Sequence, residues 1–379
     1  MNTEKIDTVV IGSGQAGLAI GYYLARQDRD FVILDAHSHV GDSWRRRWDS
    51  LRLFTSASFN RLPGMPFPAG RERFPTKDEM AGYLEAYAAR FDLPIQLGVR
   101  VDEITRDGDR YRITAGTRRL IANQVVVATG AYATPRVPSF AGELDPAITQ
   151  LHSVEYRNPS QLCEGPVLVI GAGNSGAEIA RESAAAMYPA WLAGRDTGHI
   201  PGTPESLGYQ VGASVFRTVM NLLTADTRLG RRVVQNARAF SGGHPLVRVK
   251  PKDLIEAGVQ RVPRVAGVSH GHPVLEDGRV LDVDNVVWAT GFTRDFRWIR
   301  LPVFDARGEP IHHRGVVQAE PGLYFVGLPF QSSVLSGLVA GAGADAKYIA
   351  RQIATRSSAT GPVYSGRLSG RQQQDSPGL

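Results

Sequence analysis

The chain has 379 residues, enough for two domains with sizeable cores. Its net charge of +6 comes from 43 basic and 37 acidic side chains spread along the chain, with Arg45, Arg46 and Arg47 as the one short cluster. That distribution argues against the dense basic stripe of a nucleic-acid binder and suits an anionic cofactor. The single cysteine, Cys163, excludes an internal disulfide and a CxxC redox pair; it reads as a small, half-buried hydrophobe in a reducing compartment. The start of the chain lacks the apolar core of a signal peptide, and no run of about 18 apolar residues occurs. The expectation is a soluble, cytoplasmic protein without a membrane span.

Residues 6–11 read as a buried parallel strand rich in β-branched side chains. A glycine turn, an apolar helix to about Gln27 and a second strand at 31–34 complete a βαβ unit. Pro75 opens a helix to about Phe91, with Thr76 as N-cap and Glu79 closing a capping box. Residues 99–115 and 118–127 read as antiparallel strands around Asp107-Gly108. At Val167 the pattern restarts: a strand at 167–170, a glycine turn at 171–176, a helix at 177–187 and a strand at Trp191-Leu192. This internal repeat has a spacing of about 160 residues. Each copy also contains a later strand ending in Ala-Thr-Gly, at 128–130 and at 289–291.

Residues 203–241 have no counterpart in the first copy; 215–223 and 231–240 look helical. A lid, a substrate wall and a homodimer surface are all open for this segment. After Gly291 the chain returns to the first unit, with a strand at 323–326 and a small-residue helix at 336–354. From Ser357 the tail reads as disordered. The fold class is therefore α/β, with two Rossmann-like dinucleotide-binding domains, the second inserted in the first. The expected limits are 1–138 with 292–356, then 139–291.

Two fingerprints carry the chemistry. Gly12-Ser13-Gly14-Gln15-Ala16-Gly17 lies between strand and helix. Its glycines allow the tight turn, the approach of backbone to a pyrophosphate and close helix–strand packing. The helix N-terminus adds N–H donors and partial positive charge. Asp35 ends the next strand, where a carboxylate takes a ribose hydroxyl pair. Gly171-Ala172-Gly173-Asn174-Ser175-Gly176 repeats the arrangement, but its equivalent of Asp35 falls near Arg195. A guanidinium binds a 2′-phosphate that a carboxylate would repel. FAD is thus expected in the first fold and NADPH in the second.

Further residues narrow the class. Gly41-Asp42-Ser43-Trp44-Arg45 resembles the GGxW segment of flavin-containing monooxygenases. Residues 48–53 and 62–68 resemble the same stretches in bacterial members and in plant YUCCA-type enzymes. Phe140, Gly142, His152 and Tyr156 resemble the group's FxGxxxHxxxY signature, although the gap from Gly142 to His152 is longer than usual. Tyr156 stands where Baeyer–Villiger enzymes have Trp, which argues against that branch. The resemblance spans residues 5 to about 350.

The resemblance implies an enzyme: an NADPH-dependent flavin monooxygenase acting through a C4a-peroxyflavin on a small substrate and O2. A sulfur or nitrogen centre or an α-keto acid would receive the oxygen atom. The cofactor contacts expected are Gly12, Gly14, Gln15, Ala16, Gly17, Asp35, Trp44, Arg52, Val101, Ala128, Thr129, Gly130, Leu328 and Gln331 toward FAD. Gly171, Gly173, Asn174, Ser175, Gly176, Arg195, Thr290 and Gly291 are expected toward NADPH. Residues 54–58 lack the Asn that animal-type members carry near the flavin, and Asn60 is nearby. This keeps an NADPH oxidase that releases peroxide as the alternative. No protein nucleophile is identified. His270 with His272 and His312 with His313 lack ligand-spaced partners, so no metal is expected. His152 reads as a structural residue between the domains.

Overall fold

The computed structural model describes residues 3–132, 134–201 and 245–360, together with 212, 215, 219, 223, 224 and 226–239. The chain begins with β1 (Thr3–Ile11), α1 (Gln15–Ala25) and β2 (Phe31–Leu34). Val9, Val10 and Ile11 are buried, and their β-branched shapes suit a strand covered on both faces. Helix α1 is rich in small residues and lies close to the sheet. A Cβ on Gly21 would come within 2.8 Å of Ile33 Cδ1.

The short α2 (Asp42–Arg45) is followed by α3 (Lys77–Arg90). As the spacing predicts, Glu79 N–H donates to Thr76 Oγ1 (3.2 Å), and Thr76 N–H donates back to the Glu79 carboxylate (2.9 Å). Then come β3 (Ile95–Gln96) and an antiparallel meander of β4 (Glu103–Asp107), β5 (Arg110–Ala115) and β6 (Arg118–Val127). Residues 99–102, expected as strand, lie before β4; its pairing with β5 begins only at Glu103 opposite Thr114. The sheet order is β3-β2-β1-β6-β5-β4.

The second unit holds β7 (Thr134–Pro135), β8 (Thr149–His152), β9 (Val167–Ile170), α4 (Asn174–Ala185) and β10 (Ala190–Ala193). Next are α5 (Arg228–Ala239), α6 (Pro251–Glu256), β11 (Gln260–Val262), a hairpin of β12 (Val265–Ser269) with β13 (His272–Leu275), and β14 (Asn285–Trp288). Its sheet runs β11-β10-β9-β14-β8, parallel throughout. The two sheets therefore repeat one plan, with β9, β10, β11 and β14 in the places of β1, β2, β3 and β6.

β15 (Phe292–Thr293) pairs antiparallel with β7, so the two crossovers between units lie side by side. β16 (Leu323–Phe325) then adds in parallel to the C-terminal half of β6, and α7 (Val339–Thr360) packs on α1. Ala342, Ala346, Ile349, Ala350 and Ile353 make the buried face of α7.

Three expectations need correction. The second fingerprint helix starts at Asn174, not after Gly176, because the last residues of the glycine turn form its first turn. Ser357 is helical rather than the start of a loose tail: its hydroxyl donates to Ile353 O and accepts from Gln124 and Arg29. Residues 361–379 lie outside the described residues. Cys163 is exposed. The Asn285 side chain holds its backbone N–H (2.8 Å) and carbonyl (2.9 Å) at the sheet edge and leaves the thiol outward, 2.9 Å from Thr149 Oγ1. Within 203–241, Gly212, Val215, Val219 and 228–239 are helical, and the rest of the expected helices lies largely outside the described residues.

Candidate dinucleotide sites and the seam between them

Both glycine turns sit at the carboxyl end of a strand flanked on both sides by parallel partners, where such sheets place ligands. At the first, Gly12 has φ +106°, and a Cβ there would lie 2.7 Å from the Ala128 carbonyl oxygen. A Cβ on Gly17 would run into the Gly12 carbonyl. The second turn repeats this: Gly171 abuts the Ala289 carbonyl and Gly176 abuts Gly171. The hydrogen bonds match as well. Gly12 N–H donates to Leu34 O at 2.7 Å and Gly171 N–H to Ala193 O at 2.8 Å. Ala128 and Ala289 N–H donate to Ile11 and Ile170, each at 2.8 Å.

Gly14 and Gly173 are the N-caps of α1 and α4, and neither helix start has a side-chain cap. The space beside each of these glycines is open. Uncapped helix N–H groups facing open space form a cradle for a phosphate. Gln15 and Ser175 flank the cradles half-buried, and Ala16 lies beneath Gly327. Asn174 is spent locally: its amide donates to Pro245 O (3.0 Å) and accepts from Val247 N–H (3.0 Å).

Asp35 directly follows β2 beside the first turn. Burial raises its pKa, but donors from His37 and from the Ser13 N–H (2.6 Å) and hydroxyl (2.7 Å) overcome this and hold it at about 2. It is a carboxylate at any working pH. Arg195 follows β10 one residue beyond the place equivalent to Asp35, which the matched register gives to Gly194; it is exposed and without a hydrogen bond or ion pair to a described residue. Sequence reasoning missed Arg261, which lies opposite Leu192 in β11 and donates to Gly194 O at 3.0 Å. Two guanidinium groups thus border this strand end. Only the register of β11 reveals the second.

Other expected contacts are distributed differently. Trp44 is half-buried against the core, and Val101 packs on the cluster beneath the first sheet. Arg52 is exposed; its guanidinium donates to Phe74 O (3.1 Å) and its own carbonyl accepts from Arg248 (3.4 Å). Gln331 is buried, with its amide accepting from Leu328 N–H (3.2 Å) and donating to Arg314 O (3.3 Å). It shapes the turn before α7, which leaves Leu328 buried within that turn. Thr129 is exposed at the first Ala-Thr-Gly, whereas Thr290 donates to Arg136 O. Asn60 is fully buried, its amide donating to Thr55 O (2.8 Å) and accepting from the Thr55 hydroxyl (2.7 Å).

Residues 47–52 lie on the second unit. Asp49 N–H donates to Arg157 O (2.7 Å), and its carboxylate accepts from Asn158 (2.7 Å). Arg248 joins Arg52 O to Glu178 (2.9 Å). Burial lifts the Glu178 carboxyl to about 7 against the pull of Arg248. Tyr156, fully buried, donates to Glu182 (3.1 Å). His152 Nδ1 accepts from Val154 N–H (3.2 Å), so Nε2 carries the proton and donates to Gly291 O (3.0 Å). Burial also lowers its pKa. A neutral ring locked at both nitrogens within the second unit fits a structural role.

With this geometry established, the chain can be compared with known proteins. Residues 9–198 match the family of pyridine nucleotide-disulphide oxidoreductases. The chain belongs to that family. It is 40% identical to an uncharacterized oxidoreductase CzcO-like of Geobacillus kaustophilus, over 92% of this chain and 98% of the relative. It is 28% identical to the probable indole-3-pyruvate monooxygenase YUCCA3 of Arabidopsis thaliana, over 92% and 86%. The solved flavin-containing monooxygenase of Stenotrophomonas maltophilia superposes with a TM-score of 0.73 at 28% identity, over 93% of this chain and 99% of that one. The chain is therefore an oxidoreductase with the two-dinucleotide-domain fold of flavoprotein monooxygenases. Among its described residues no helix is long and apolar enough to cross a membrane.

Proposed function

We propose that the chain is an NADPH-dependent FAD monooxygenase that inserts one oxygen atom of O2 into a small organic substrate at a sulfur, nitrogen or keto-acid carbon centre. The observation that carries this reading is the pair of open glycine cradles with opposite charge at their equivalent strand ends: Asp35 at one, Arg195 with Arg261 at the other. The likeness to a solved flavin-containing monooxygenase supports it.

In this reading the first fold (1–138 and 292–356) holds FAD. The α1 N–H groups face its pyrophosphate and the lasting negative charge of Asp35 accepts ribose hydroxyls. The second fold (139–291) holds NADPH, with α4 on the pyrophosphate and Arg195 on the 2′-phosphate. Bound flavin and nicotinamide supply the redox and oxygen chemistry. The chain's residues supply binding, orientation and exclusion of water. The His152 ring against Phe292 and the 47–52 seam hold the two cradles in relation to each other.

A second reading, an NADPH oxidase releasing hydrogen peroxide, is favoured by Asn60. Its amide is committed to Thr55 and leaves no free carboxamide on residues 54–60. One experiment separates the two. The purified protein is mixed anaerobically with NADPH or NADH and flavin bleaching is followed; oxygen is then admitted with a thioether, an amine or an α-keto acid. Faster bleaching by NADPH and a product-to-NADPH ratio near one support the monooxygenase. Peroxide equal to the NADPH consumed with every substrate establishes the oxidase. No bleaching by either nucleotide sinks both.

A further inference from the structure

We propose that Arg47 is a positioning residue whose guanidinium, packed on the rings of Tyr132 and Phe292, fixes the angle between the two folds. The link from that angle to hydride transfer rests on the functional reading above. The ring contacts do not.

Arg47 follows α2 in the first unit and is half-buried. Its guanidinium carbon lies 5.0 Å from the Phe292 ring centre and 5.8 Å from that of Tyr132. The two rings meet edge to face at 5.4 Å. Each belongs to a different crossover between the units: Tyr132 on the way out, Phe292 on the way back. From the far side, His152 of the second unit meets Phe292 edge to face at 5.0 Å. Arg47, Phe292 and His152 thus form a row from one unit through the crossover to the other.

The row sits beside the soft points of the crossovers. Gly130 (φ +73°) precedes Tyr132 by two residues, and Gly291 (φ +83°) directly precedes Phe292. Neither glycine has a neighbour where a Cβ would stand, so the backbone itself opposes rotation weakly there. A change of angle would swing both rings. A planar guanidinium seated on both resists that swing; an ammonium is drawn to a ring face but cannot stack on it, and resists less.

Stability alone does not account for this arginine. It has no ion pair with a described residue; its Nε donates to Ser43 O at 3.2 Å. A half-buried cation without an acid is costly, and an apolar side chain of similar length would fill the space at lower cost. Orientation of two bound groups is the property for which such a fixed contact matters, since small misplacements slow transfer steeply.

The test uses the full chain with its bound flavin and two nitroxide labels, one on native Cys163, which is exposed, and one on Asp109→Cys in the exposed turn after β4. Pulsed dipolar spectroscopy reads the distance between units. The parent should give one narrow distribution. Arg47→Met and Arg47→Lys should both broaden it or add a second population. Flavin reduction by NADPH should slow roughly tenfold, while retention of flavin stays unchanged. Tyr132→Leu, at a ring that is 56% exposed and carries little of the fold, should broaden the distribution in the same direction and decides the matter if Arg47 variants do not fold. Distributions that superpose on the parent overturn the proposal, as does a Lys variant indistinguishable from it. If the parent flavin is not reduced by NADPH, the functional reading falls and the distances alone decide the role of Arg47.

Discussion

Asp35 and Arg195 follow equivalent strands with opposite charge, and their surroundings differ as much as their signs. Four donor contacts from Ser13 and His37 converge on Asp35, whereas Arg195 stands open to solvent. Arg195→Ala is expected to raise the KM for NADPH by roughly 10- to 100-fold, the worth of a charge-assisted bidentate contact, and to leave the KM for NADH nearly unchanged. Steady-state flavin reduction with both nucleotides checks this; equal losses with the two would remove Arg195 from the 2′-phosphate. This pair was legible in the sequence because its signal is a spacing from the last glycine. Arg261 was not, because only the register of β11 against β10 brings it to Gly194. The side-chain partners of Gln331 were hidden for a related reason. Nothing in its neighbours' identities shows that its amide is already taken by Leu328 and Arg314.

The fingerprint helices allow a cleaner separation of the two folds. Ala at Gly17 or Gly176 would push α1 or α4 off its strand, because the added carbon meets the carbonyl of the turn's first glycine. Gly17→Ala should yield protein purified without its flavin absorbance. Gly176→Ala should keep the flavin but lose bleaching by NADPH. The opposite pairing would invert the cofactor assignment.

Helix α4 carries a second message on another face. Asn174, Glu178 and Glu182 recur every four residues and so line one side. That side faces the seam through Val247, Arg248 and Tyr156. Glu178 has a folded pKa raised to about 7, above the unfolded carboxyl range. Its contribution to stability is therefore complete below about pH 4 and is lost as pH rises through 7. Glu178→Gln should flatten the unfolding free energy between pH 5 and 7.5, where that of the parent declines by on the order of 2 kcal/mol, as read by denaturant melts at each pH. Parallel curves for parent and variant would show that the carboxyl stays ionised in the folded state. The helix's apolar period was visible in the sequence. Its starting residue was not, since a glycine turn and a first helical turn share residues 174–176.

At the scale of the molecule, the repeat announced two folds and the late return of the chain announced the insertion. The seam gave no such notice. Two of its bonds end on backbone carbonyls, those of Arg52 and Arg157, and a carbonyl carries no residue identity. The motif at 48–53, which the family resemblance singled out, gains a physical reason there. Trp48 and Leu51 enter the apolar cluster that also takes Tyr156 and Ile179, while the Asp49 carboxylate accepts from Asn158 and the Arg52 carbonyl from Arg248, both of the second unit.

The side-by-side crossovers have a consequence for how the chain is made. The second sheet is contiguous in sequence and can close as it leaves the ribosome. The first cannot: β6 lacks its partner β16, and α1 lacks α7, until residues beyond 323 have emerged. During that interval the C-terminal half of β6 is an open strand edge on a nascent chain, and the loop to be closed spans a whole folded unit. Synthesis thus runs against the assembly order, so the part made first is finished last.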